Sequence, residues 1–286
     1  MISRRQFLTL SAVAAGSGML GAADAFAIEP GYSLVVKRWS IAHPDWPGSA
    51  RPLKIGILTD IHAVEPWMPA SRIATIAQRL NALKPDLIVL LGDYVCALGR
   101  RYRSAIVPVP SWVGALKGLH APLGVYAVLG NHDHWTDEAQ LIRHEFKEAG
   151  IHLLENAAIP LKRGGSRIWL AGLGDQLEEL DDLPGTLRQI GGDEPAILLA
   201  HEPHIFKNVP KRITLTLAGH THGGQVYVPF VGRPAIPPEH ARHAYGHIQE
   251  NGRHMVVSSG LGVTAFPVRF LVPPEIALVT LRHREA

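Results

Sequence analysis

Apolar positions along the chain gather in short unbroken runs that stop at Gly, Asp or His. The runs are LKIGILTD (Leu53 to Asp60), DLIVLLGD (Asp86 to Asp93), GVYAVLGNHD (Gly124 to Asp133) and RIWLAGLGD (Arg167 to Asp175). PAILLAHEP (Pro195 to Pro203), ITLTLAGH (Ile213 to His220), HMVVSSG (His254 to Gly260) and EIALVTL (Glu275 to Leu281) follow. Their length and branched aliphatic content predict strands buried on both faces. Helical periodicity separates several of them. Over Ser71 to Leu83, positions Ile73, Ile76, Ala77, Leu80 and Leu83 share one face. A second pattern, Thr136 to Ala149, has Thr136 as its expected N-cap and stops at Gly150. Strand-helix alternation with short connections predicts an α/β layered fold. The later strands have fewer helices between them, which predicts a second, partly antiparallel sheet packed on the first. No repeat or low-complexity linker divides the chain, so residues 28–286 are expected to form one catalytic domain. The Pro-rich stretch Pro229 to Pro238 is expected to be a surface loop.

Bulk composition changes this picture little. The chain has 286 residues, 47% apolar and 19% charged, with a formal charge of +3, ordinary values for a globular protein. Its Lys and Arg are scattered, so no nucleic-acid partner is indicated. The sole cysteine, Cys96, excludes an internal disulfide. Sixteen histidines are more than such a chain usually carries. His240, His243, His247 and His254 fall in or near a loop-rich section and are expected at the surface.

The first 27 residues read as a separate export signal. Ser3-Arg4-Arg5-Gln6-Phe7-Leu8 opens a segment with no further charge until Asp24, and Ala25-Phe26-Ala27 closes it. A basic start, an Ala/Gly-rich apolar stretch and a small-residue cleavage site make a signal peptide. The paired arginines followed by Phe-Leu resemble the twin-arginine (Tat) type. An ordinary secretory signal and a retained anchor are the alternatives. The expectation is export to the periplasm or cell envelope, with the twin-arginine machinery as a partner.

The chemistry collects where the strands end, which is where ligands bind in open α/β folds. Asp60-Ile61-His62 ends the first run, Gly92-Asp93 the second and Gly130-Asn131-His132-Asp133 the third. His201 follows the PAILLA run, and Gly219-His220-Thr221-His222 ends the next. Asp60 and His62 are expected to point the same way, being two residues apart in an extended segment. Each motif alone has an ordinary structural explanation, as a cap or a turn. Together, at one end of the strands, they form a mixed N/O donor set suited to Mn, Fe or Zn. Glu65, Trp67 and Tyr94 follow the same strand ends and are candidate cleft-lining residues.

The series D-x-H, G-D, G-N-H-D, a lone His and G-H-x-H, in this order, resembles the calcineurin-like metallophosphoesterases. The resemblance implies a four-layer α/β/β/α sandwich of two mixed sheets that holds two divalent transition-metal ions. By motif, Asp60, His62 and His222 would hold one ion, and Asn131, His201 and His220 the other, with Asp93 bridging. It further implies hydrolysis of a phosphoester by a metal-activated hydroxide, with His132 protonating the leaving group and Asp133 orienting its ring. Gly223 and Gly224 would keep the backbone low beside the ions.

The ending GHTHGGQ with PVRFLVPPEIALVTL is similar to a bacterial branch that includes exported phosphodiesterases and relatives of UDP-2,3-diacylglucosamine hydrolases. That likeness implies a phosphodiester or pyrophosphate substrate, lipid-linked or otherwise in the envelope, and association with membranes. A phosphomonoesterase and a lipid A pathway hydrolase are the alternatives within the class. A non-catalytic metal-binding protein is disfavoured by His132, which a metal store does not need. A serine hydrolase lacks its G-x-S-x-G motif.

Overall fold

A computed structural model describes residues 24–47, 50–96, 105–163 and 165–284. The paired arginines of the expected export signal lie outside these residues. Two six-stranded sheets stack face to face. The first runs in the order β1 (Val35–His43), β12 (Glu275–His283), β2 (Leu53–Leu58), β3 (Leu87–Leu91), β4 (Val125–Val128), β5 (His152–Leu153). The second runs β10 (Gly246–Glu250), β11 (Arg253–Val257), β9 (Leu215–Ala218), β8 (Ala196–Leu199), β7 (Ser166–Gly172), β6 (Ala157–Arg163). Strands β2 to β5 are parallel, as are β7, β8, β9 and β11. Antiparallel neighbours β12, β6 and β10 make both sheets mixed.

Continuous apolar runs are needed because successive side chains enter different layers. In β3, Leu87, Val89 and Leu91 face the second sheet, while Ile88 and Leu90 face helices. In β8, Ile197 and Leu199 meet the first sheet, while Ala196 and Leu198 pack outward. The helix layer on the first sheet comprises α2 (Ala70–Ala82), α3 (Val109–Leu116) and α5 (Ala139–Glu148). They contribute Ile73, Ile76, Leu80, Trp112, Ile142 and Phe146 to that core. The opposite layer is thinner: α6 (Leu183–Arg188) and the 3-10 turn Pro203–Lys207 supply Leu183, Ile205 and Phe206. The α/β/β/α order of layers is therefore as expected.

The expected helix over 71–83 is α2, shifted by one residue. The one expected over 136–149 is two helices. A short α4 (Asn131–Trp135) begins inside the G-N-H-D motif, and α5 follows after a break. Thr136 is not an N-cap: its hydroxyl donates to the His132 carbonyl at 2.9 Å, closing α4. Before β1, a π-helical turn (Asp24–Ile28) leads into α1 (Glu29–Tyr32), and both lie against the domain. Arg269 N donates to Ala25 O, and the Glu29 carboxylate accepts from the N–H groups of Leu271 and Val272. Ala25, counted with the signal on sequence grounds, thus contacts the loop that precedes β12. No helix among the described residues is long and apolar enough to cross a membrane.

Candidate metal centre

All seven candidate ligands meet at the carboxyl ends of β2, β3, β4, β8 and β9. Ligand atoms of Asp60, His62, Asp93 and His222 lie within 4.8 Å of one another, as do those of Asp93, His201 and His220. Asp93 belongs to both groups. Its Oδ2 is 3.5 Å from His62 Nε2 and 3.2 Å from His201 Nε2. In the first group His62 Nε2 and His222 Nε2 are 3.0 Å apart, and His222 Nε2 is 3.5 Å from Asp60 Oδ1. In the second, His220 Nδ1 is 3.3 Å from His201 Nε2 and 3.1 Å from Asn131 Oδ1.

The backbone that delivers these groups is not extended. β2 stops at Leu58 and β9 at Ala218. Asp60 (φ 52°), His62 (φ 43°), Asp93 (φ 56°), His220 (φ 69°) and His222 (φ 52°) all adopt left-handed conformations. The expected two-residue step along a strand is therefore corrected to a pair of left-handed turns. Each such residue costs of order 1–3 kcal/mol and persists only where its surroundings fix it. Here the fixings are Asp60 N to Gly92 O and His62 N to Asp93 O, both 3.0 Å, and His220 N to the Asp60 carboxylate at 2.9 Å.

Close approach of the loops requires glycine. A Cβ on Gly92 would stand 2.6 Å from Gly130 N, and one on Gly219 would stand 2.6 Å from Asp60 Oδ2. Gly223 and Gly224 serve a different purpose from the one expected. Their Cβ positions point at Ser259, Arg233 and Ile236 rather than at the ligands, and their φ values of 56° and 75° make the turn itself.

Imidazole tautomers are set by backbone carbonyls behind the rings. His62 Nδ1 bonds Val95 O at 3.1 Å, and His201 Nδ1 bonds Leu91 O at 2.6 Å. Each carbonyl accepts a hydrogen bond from Nδ1–H, which turns Nε2 towards the centre, where it can act as a ligand when unprotonated. Burial pushes His62 and His220 down to about 3 and takes His222 well below the usual histidine range. On His222, the neighbouring His62 and the buried Arg269 guanidinium add to that effect. His201 differs: burial opposes its charge, but the Asp93 carboxylate prevails and holds the imidazolium well above the usual value. Burial likewise works against the Asp93 charge, yet His201 and His62 keep its carboxyl well below the usual range. Facing nitrogen lone pairs around a shared buried carboxylate are costly alone and become ligands around a cation. The donor set therefore fits divalent cations, and a cation beside His201 would supply the positive charge that Asp93 otherwise draws from a proton.

His132 sits at the edge of this centre. Its backbone N–H donates to Asp93 Oδ1 at 2.9 Å, its ring lies edge-on to His62, and its Nε2 is 3.5 Å from Thr264 Oγ1. Burial lowers its pKa, opposed by the charges of Asp93 and Asp175. The role expected for Asp133 is not what its bonds perform. Its carboxylate accepts from the N–H groups of Asp93, Tyr94, Val95 and Gly130 at 2.8–3.1 Å, filling all four lone-pair positions. Asp133 thus clamps the Asp93 loop to the start of α4 rather than orienting the His132 ring.

Tyr94 does not line a cleft. It is buried, stacks on Trp112 and donates to Val128 O. His254, expected at the surface, is buried between His43 and His247. Arg269 escaped sequence reasoning although it is a lone cation in the apolar run PVRFLVP. Fully buried, it donates to the carbonyls of Gly262, Ser259 and Val272 beneath His222.

Residues 53–224 match the family model for calcineurin-like phosphoesterases. The chain belongs to that family. Its relatives include the uncharacterised metallophosphoesterase YkuE of Bacillus subtilis (strain 168), 32% identical, with 98% of each chain covered. The phosphodiesterase YaeI of Escherichia coli (strain K12) is also 32% identical, over 98% of this chain and all of the relative. Among solved structures, a Staphylococcus aureus chain assigned as a 5'-nucleotidase shares the fold at TM-score 0.50 and 10% identity. That match covers 82% of this chain and 55% of the other. As a member of the family, the protein is a metallophosphoesterase, a hydrolase of phosphoric esters, with a buried cluster of metal-ligating side chains.

Proposed function

We propose that the protein is a dinuclear metal-dependent phosphodiesterase, exported to the cell envelope by the twin-arginine route. The observation that carries this reading is Asp93, whose carboxylate is shared by two groups of ligands built from different strands. Asp60, His62 and His222 would hold one divalent ion, and Asn131, His201 and His220 would hold the other. Such a pair supplies Lewis-acid activation of water and neutralises charge on the phosphoryl group.

The chain's own residues supply the rest. Carbonyls of Leu91 and Val95 fix the ligand tautomers, and Asp133 and Arg269 hold rigid the loops that carry Asp93 and His222. His132 is the general acid that protonates the departing oxygen. Its ring is half-buried and lies edge-on to the His62 ring, outside both groups of ligands. A phosphodiester anion bound beside it favours its charged form, so substrate raises the pKa that burial lowers. The E. coli relative is named a phosphodiesterase, which supports a diester rather than a monoester as this chain's substrate, and the proposed export segment supports an envelope substrate, including a lipid-linked one.

Hydrolysis of bis-p-nitrophenyl phosphate, with and without a chelator, tests the reading. Turnover that a chelator abolishes and Mn, Fe or Zn restores is expected. His132→Ala should keep its metals and lose most rate on alkyl diesters, which have poor leaving groups. Parent-like rates for that variant on an alkyl diester would remove His132 from its role.

A further inference from the structure

Large apolar side chains are unevenly distributed over the exposed surface. Phe26, Trp135, Phe230, Val231, Phe266 and Leu271 are all exposed, and all lie at the end of the sandwich that carries the ligands. Phe230 is fully exposed, with Val231 at 72% and Phe266 at 68%. Among the described residues, the turns at the opposite end, 44–52, 83–86, 117–124, 189–195 and 208–214, expose no large apolar side chain.

The apolar side chains sit on segments bonded to one another. Tyr227 N donates to Phe270 O and Phe270 N to Gln225 O, both at 2.9 Å. The Gln225 side chain accepts from Thr264 N at 2.7 Å and donates back to Thr264 O at 3.0 Å. Leu271 N donates to Glu29, and Arg269 N to Ala25 O, which brings Phe26 to the same rim. Thr264 in turn touches His132. Phe230 (φ 68°) and Leu271 (φ 55°) adopt left-handed conformations, unfavourable for bulky residues. Exposure and strain together are unrewarded within the monomer and mark a surface that meets something apolar.

We infer that this rim rests on a lipid bilayer, inserting Phe230, Val231, Phe266 and Leu271 among the headgroups so that the metal centre opens onto the membrane. A second copy of the chain fits less well, because a partner seated on the rim would cover the site. The uncharged stretch that precedes the domain in the sequence also favours a bilayer. Residues 7–23 carry no charged side chain and join the domain at Asp24, beside the rim. Aromatic and aliphatic side chains that insert only to headgroup depth give reversible interfacial binding. The substrate consequence, an amphiphilic phosphodiester presented in the plane of the bilayer, rests on the phosphodiesterase reading; the docking itself does not.

Vesicles of phosphatidylethanolamine and phosphatidylglycerol test the inference with the full chain. The combined variant Phe230→Ser, Val231→Ser, Phe266→Ser, Leu271→Ser should bind them at least about tenfold more weakly than the parent, as expected for losing several interfacial apolar groups. Its turnover of a soluble diester should be unchanged; loss of vesicle binding alone separates this inference from the catalytic one. A nitroxide on Val231→Cys should become shielded from aqueous relaxants on vesicles, while one on Lys211→Cys, at the opposite end, stays accessible. Equal aqueous access at the two positions on vesicles, or parent-like binding by the combined variant, would overturn the inference. So would a parent dimer in solution that the combined variant dissociates, since the rim would then be a self-association face.

Discussion

The two ends of the sandwich are built on opposite terms. At the end where β2, β3, β8 and β9 begin, the sheets are tied by conventional means. Arg163 donates to Arg51 O and Pro52 O and pairs with Asp86 at 3.1 Å, and the same carboxylate accepts from Lys54 N. Leu53, Trp46 and Leu281 pack beneath them, almost wholly buried. At the other end, five ligand residues take left-handed conformations and three carboxylates (Asp60, Asp93, Asp133) are buried within one cluster of loops. One end contributes stability, and the other consumes it to hold charge and lone pairs in a fixed arrangement.

The largest effect should come from the shared carboxylate. Asp93→Asn should reduce turnover of bis-p-nitrophenyl phosphate by about 10³-fold or more, because in the proposed two-ion centre both cations would lose a ligand at once. Elemental analysis should show both ions depleted, while far-UV circular dichroism stays unchanged. The mirror experiment is Leu53→Ala at the other end. Truncating that buried side chain should cost about 2–5 kcal/mol in urea denaturation. The rate per folded molecule should hold within about twofold, since no ligand moves. If Leu53→Ala also lost its metals, the two ends would not be separable.

A smaller effect concerns pH. Burial first, then the neighbouring His247 and His43, lower the His254 pKa to about 4, against an ordinary value of 6.5. Between those values the unfolded chain binds more protons than the folded one, so stability rises with pH through that window and falls as pH drops from 6.5 towards 4. His254→Asn should flatten that slope across the window, by no more than about 1–2 kcal/mol once screening by nearby solvent is allowed for. Urea midpoints at pH 4.5 and 7 would measure it; an unchanged slope would show that His254 is not held neutral. The least effect should come from Arg143, whose two bonds to Glu155 (2.8 and 2.6 Å) are partly exposed. Arg143→Met should cost under about 1 kcal/mol, with activity unaffected.

This division also explains what the sequence disclosed. The interior strands β2, β3, β4, β7, β8, β9, β11 and β12 appear as unbroken apolar runs because both faces are buried. The strands that escaped notice, β1, β5, β6 and β10, are the four sheet edges. Edges carry charge and proline, as Lys37, Arg38 and Pro160 do, to discourage pairing with other chains. That chemistry erases the apolar signal. Among site residues, the ligands were legible because donor types recur at strand ends. Their left-handed backbone was not, since nothing in D-x-H or H-x-H distinguishes a turn from an extended step. Asp133 illustrates the remaining gap: residue type announced a charge beside His132, but only the fold shows four backbone N–H groups converging on it.

Electron paramagnetic resonance of Mn(II)-loaded protein, combined with metal stoichiometry, tests the proposed two-ion centre most directly. Two ions per chain with an exchange-coupled spectrum, collapsing to an uncoupled signal in Asp93→Asn, is the outcome expected of a carboxylate shared between them. A single ion per chain, or two uncoupled ions with Asp93 intact, would contradict it.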